Sequence, residues 1–91
     1  MTKRRIHVLI KGAVQGVYFR YNTLKKAGEY HLTGWVRNRT DGSVEMVCEG
    51  MEDDINKMIR WCNQGPEGAY VREVETDWKE YTGEFNVFEI R

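Results

Sequence analysis

Ile6-His7-Val8-Leu9-Ile10-Lys11-Gly12-Ala13-Val14-Gln15-Gly16-Val17-Tyr18-Phe19-Arg20 changes its structural period part of the way along, and that change points to the fold class. Ile6, Val8 and Ile10 fall on one face and His7, Leu9 and Lys11 on the other, which is the period of a strand. Gly12 and Gly16 then punctuate the chain. From about Arg20 to Tyr30 the pattern is helical, with Thr23, Ala27 and Tyr30 on one face and Leu32 following as the chain turns out. Gly28 inside this helix costs about 1 kcal/mol relative to Ala.

The rest of the chain, which has no internal repeat, supplies further strands and a second helix. Gly34-Trp35-Val36-Arg37-Asn38 reads as a second strand and Ser43-Val44-Glu45-Met46-Val47-Cys48 as a third. Thr40-Asp41-Gly42 between them carries a hairpin signal, so the two should be antiparallel neighbours. Val44, Met46 and Cys48 are expected in the core. A second helix spans about Glu52 to Gln64, with Glu52, Asp53 and Asp54 at the positive end of its dipole and Ile55, Met58, Ile59 and Cys62 as its apolar stripe. Gly65-Pro66 ends it. Between Ala69 and Glu80, Val71 is out of phase with Val74, Thr76 and Trp78, and a bulge near Arg72-Glu73 restores the alternation. Phe85 to Ile90 forms a short last strand with Phe88 and Ile90 in phase. The order β-α-β-β-α-β plus a closing strand fits an α+β, ferredoxin-like split βαβ sandwich: one antiparallel sheet with both helices on one face. Residues 1–91 form one domain on this reading.

Composition narrows the function classes. Fourteen basic residues balance fourteen acidic ones, so attraction for an anion must be local rather than global. No apolar run reaches the roughly 18 residues of a membrane span, no signal-peptide pattern follows Thr2-Lys3-Arg4-Arg5, and the expected location is the cytoplasm. Cys48 and Cys62 lack a His or second Cys at metal-ligand spacing and are expected as free core thiols.

Gly12 to Arg20 carries the chemistry. A strand that runs through glycines into a helix leaves several backbone N–H groups without an intrahelical partner at the positive end of the dipole. Gly16 permits the backbone angles of a concave amide ring. Arg20 adds a planar fork suited to two phosphate oxygens. The spacing is not that of a nucleotide P-loop, and no Lys-Ser/Thr follows.

Gly12-Ala13-Val14-Gln15-Gly16-Val17-Tyr18-Phe19-Arg20 resembles the first signature of the acylphosphatase family. Gly34-Trp35-Val36-Arg37-Asn38-Arg39-Thr40-Asp41-Gly42-Ser43-Val44 with Gly50 resembles its second, and the likeness continues to Phe88-Glu89-Ile90-Arg91. The resemblance implies hydrolysis of the carboxyl-phosphate bond of acyl phosphates to a carboxylate and inorganic phosphate, with no metal and no cofactor. It implies that Arg20 and the amides of Gln15, Gly16, Val17, Tyr18, Phe19 and Arg20 bind phosphate and that Asn38 orients the attacking water. The implied partners are a small acyl phosphate and inorganic phosphate, with no nucleic acid and no membrane; a monomer is expected.

The chemistry suits so sparse a site. A carboxylate leaving group has a conjugate-acid pKa of about 4 to 5 and departs without a protein acid. Positioning and charge stabilisation are then the main tasks. Two positions depart from the family pattern: Ala13 stands where a basic residue is common, and His31 where Gly usually ends the first helix. The alternative from another class is a non-catalytic anion- or nucleic-acid-binding module of the same architecture, suggested by Trp35, Trp78, Tyr81 and Lys3-Arg4-Arg5. Zero net charge and the lack of an aromatic RNA-binding signature weigh against it. A chain that stops at Arg91 without linker residues favours a free-standing enzyme over a module of a larger protein.

Overall fold

In the computed structural model, residues 2–91 are described. The elements are β1 (Lys3–Ala13), α1 (Phe19–Glu29), β2 (Thr33–Asn38), β3 (Val44–Met51), α2 (Glu52–Gln64), β4 (Tyr70–Lys79) and β5 (Phe88–Ile90). They form one five-stranded sheet in the order β4-β1-β3-β2-β5. Ile6, Val8, Ile10, Val36, Val44, Met46 and Cys48 point to the helical side and are buried there. Phe19, Thr23 and Ala27 of α1 and Ile55, Met58 and Cys62 of α2 cover them. This is the split βαβ sandwich expected from the periodicity.

β1, β2, β3 and β4 pair antiparallel, but β5 runs parallel to β2, through Gly34–Phe88 and Val36–Ile90. The all-antiparallel expectation is therefore corrected at one edge. β4 and β5 lie at opposite edges, so the chain leaves one end of β4, crosses the sheet and re-enters at the same end. It then necessarily runs in the direction of β2. The strand is also shorter than Phe85–Ile90, because residues 80–87 serve as that crossing.

The crossing is pinned by a buried carboxylate. Glu49 of β3 is 1% exposed on the face away from the helices. Its Oε2 accepts from the Thr82 N–H (2.9 Å), the Thr82 hydroxyl (2.9 Å) and Arg5 Nη1 (3.2 Å), and its Oε1 accepts from the Gly83 N–H (3.0 Å). Burial alone would raise the Glu49 pKa, but these donors outweigh it and hold the carboxyl below its usual range.

The bulge falls where the phase slip of Val71 places it. Lys11 pairs with Glu73 and Gly12 with Val71, so Arg72 is the extra residue. A Cβ on Gly12, whose φ is +136°, would lie 2.1 Å from the Tyr70 carbonyl oxygen. Gly12 is therefore required by the close approach of β4. At the end of α1, His31 takes a left-handed φ of 56°. Leu32 N–H donates to Ala27 O (2.9 Å) and His31 N–H to Gly28 O (3.4 Å), the two bonds of a Schellman ending. Both cysteines are free and buried, as expected. Burial pushes the Cys62 thiol up to about 12 and raises that of Cys48 as well.

Candidate active site

The site lies at the carboxyl ends of β1 and β2, the end of the sheet opposite Glu49. β1 stops at Ala13 and α1 begins at Phe19, so residues 14–18 form a tight loop between strand and helix. Gly16 (φ 76°) and Tyr18 (φ 61°) are both left-handed, at alternate positions. Such alternation curls successive amides around one point. Tyr18 is the N-cap of α1 and offers no side-chain cap. Among the described residues, no backbone N–H from Gln15 to Arg20 donates to a protein acceptor. An L-residue in this conformation costs about 1–2 kcal/mol, strain of the kind found at binding loops.

The sequence-expected residues divide into three groups. Gly16, Tyr18, Phe19, Arg20 and Asn38 line one open cleft of about 390 Å³, within the range typical of small-molecule sites. Val17 turns inward and packs against the core. Gln15 contributes a backbone amide to the loop, while its carboxamide donates to the carbonyls of Arg39 and Ser43.

Phe19 also anchors the loop. Its ring is 2% exposed and lies 5.3 Å from that of Trp61, fixing the first turn of α1 to α2. Arg20 projects from the next position and is exposed. Among the described residues no carboxylate pairs with it, nor with Arg60 or Arg72, whereas Arg4, Arg5, Arg37, Arg39 and Arg91 each have at least one. Its guanidinium is thus available to an incoming anion.

Asn38 reaches the cleft from the other side. Gly34, Val36 and Asn38 share the helix-facing side of β2 by alternation, and Asn38 is the last residue of the strand. Its Oδ1 is buried without a hydrogen-bond partner, alone in this among the side-chain polar atoms of the described residues. A buried acceptor left unpaired costs about 1–3 kcal/mol, so it marks a place where a donor is expected.

Three further residues complete the cleft: Val14, Tyr21 and Ile90. Tyr21 is 55% and Ile90 41% exposed, and with Tyr18 they form an apolar rim beside Arg20. Sequence reasoning did not select them. Tyr21 follows Tyr18 at helical i+3 spacing, a weak signal. Ile90 carried none, because its place depends on the parallel pairing of β5. Among the described residues, no group of three or more His, Cys, Asp or Glu is placed to hold a metal. Among the described residues, no helix is long and apolar enough to cross a membrane.

The chain is similar in sequence and in fold to known acylphosphatases. The model of the acylphosphatase family matches residues 6–90. An acylphosphatase of Pelotomaculum thermopropionicum is 51% identical over 90 residues, covering 99% of this chain and 98% of that protein. One from Pyrobaculum islandicum is 53% identical over 91 residues, covering 99% and 96%. Among solved structures, an acylphosphatase from Coxiella burnetii superposes with a TM-score of 0.92 at 39% identity, covering 98% of this chain and 93% of that one.

Proposed function

This chain belongs to the acylphosphatase family of enzymes that hydrolyse acyl phosphates, and we propose that it does so with Arg20 and the 15–20 amides on the phosphate and Asn38 on the attacking water. The carrying observation is the orphaned Asn38 Oδ1, buried in the same cleft as the uncommitted guanidinium of Arg20 and the open amides of the loop.

Each group has a distinct task. The loop amides and Arg20 hold the phosphoryl oxygens and offset the charge that builds on them in the transition state. Asn38 Oδ1 accepts a hydrogen bond from a water and turns its lone pair toward phosphorus, while the amide NH₂ can donate to a phosphoryl oxygen. An amide has no useful basicity near neutrality, so the water's proton passes to the phosphate itself. The P–O bond to the acyl group breaks, and the carboxylate leaves with the bonding electrons. The acyl portion meets the rim of Tyr18, Tyr21 and Ile90. No metal takes part in this scheme.

Hydrolysis of benzoyl phosphate in EDTA, with wild type beside Arg20→Gln, tests the reading. Wild-type turnover should be unaffected by the chelator. Arg20→Gln should weaken inhibition by inorganic phosphate by about tenfold or more, the worth of a charge-assisted hydrogen bond of about 1.5–3 kcal/mol. Abolition of wild-type activity by EDTA, or normal phosphate inhibition in Arg20→Gln, would overturn it.

A further inference from the structure

The loop that faces the substrate and the strand that carries Asn38 are not neighbours in the sheet, since β3 lies between β1 and β2. The ladder joining them also stops short of the site. The last β1–β3 pair is Ile10–Val44, and beyond it residues 11–13 of β1 pair only with β4. The loop and the 39–43 turn are therefore two free ends side by side, with no backbone pairing between them.

Gln15 spans that gap. Its Nε2 donates to Arg39 O at 2.7 Å and to Ser43 O at 2.9 Å, using both amide protons. These carbonyls stand on either side of the turn: Arg39 O also accepts from Gly42 N–H (3.2 Å), and Ser43 O from Arg39 N–H (2.9 Å). Among the described residues no other side chain of the loop bonds to the turn. Asn38 immediately precedes Arg39, so the clip closes one residue from the amide that holds the water.

We propose that Gln15 is a positioning residue that sets the distance between the phosphate-binding loop and Asn38 through its two bonds to the 39–43 turn. The proposal rests on the role assigned to Asn38. The physical basis is the steep dependence of turnover on placement, where a misplacement of about 1 Å can cost about 100-fold. Loss of the clip leaves the cradle's own amides intact, so it should affect turnover rather than phosphate binding.

A double-mutant cycle on benzoyl phosphate hydrolysis tests this, using Gln15→Met, which keeps the length and removes both donors, Asn38→Ala, and the pair. Gln15→Met should lower kcat by about tenfold and leave inhibition by inorganic phosphate within about twofold. In the Asn38→Ala background it should change kcat by less than about twofold, because the group being positioned is gone. A Gln15→Met kcat near wild type, an equal loss in both backgrounds, or a loss confined to phosphate binding would each overturn the clip alone. An unchanged kcat in Asn38→Ala would overturn its premise. Thermal melts accompany each variant, and Gln15→Glu carries the same comparison if Gln15→Met melts below the assay temperature.

Discussion

Arg20 and Asn38 share a cleft but became legible by different routes. A glycine loop opening a helix, followed by a guanidinium, points to Arg20 partly from local chemistry, and the family resemblance supplies the rest. An Asn at a strand end before Asp-Gly is ordinary turn chemistry, so Asn38 stood out only through the family resemblance. The structure adds what neither route supplied: its Oδ1 is buried without a partner. Among the described residues, no carboxylate or imidazole lines the cleft. The kcat profile should therefore be flat from about pH 5.5 to pH 8. A basic limb in that interval that vanishes on substitution of one side chain would contradict the proton's transfer to the phosphate.

At the scale of elements, strand and helix positions followed from period, and even the β4 bulge followed from the displaced phase of Val71. Gly12→Ala should destabilise the protein by roughly 2 kcal/mol or more, because strain at φ +136° adds to the collision with Tyr70 O. Urea unfolding reads this directly, and an unchanged midpoint would remove the bulge's demand for glycine. His31 offers the converse case. It holds the left-handed end of α1 at a cost that glycine avoids, so His31→Gly should stabilise by about 1 kcal/mol with kcat unchanged. A lower melting temperature would show that the His31 side chain contributes more than its strained backbone costs. The direction of β5 was not legible, since no local pattern says that residues 80–87 cross the sheet before the last strand forms.

Across the whole molecule, Glu49 joins the crossing segment to the sheet at one end while the cleft opens at the other. Nothing in its sequence neighbourhood marked it. Its partners Arg5, Thr82 and Gly83 are remote along the chain, and a charged residue in a strand is usually solvated. Its carboxyl is held low in the folded protein, so its stabilisation is fully present above the unfolded value of about 4.3 and is lost as pH falls through the folded value. Glu49→Gln should cost roughly 1–3 kcal/mol at pH 7 and show a shallower loss of stability below about pH 4.5 than wild type. Urea midpoints across that interval measure both effects, and parallel curves for the two proteins would exclude Glu49 as the acid-sensitive anchor. The same architecture brings the 14–18 loop and Asn38 to one cleft from two non-adjacent strands, and in the proposed function turnover depends on both. The most direct test is the kcat of Asn38→Ala at saturating benzoyl phosphate, read beside its inhibition constant for inorganic phosphate. We predict a fall in kcat of about 10²–10³-fold with phosphate inhibition kept within about threefold; undiminished turnover, or a loss explained wholly by weaker phosphate binding, would contradict the assignment.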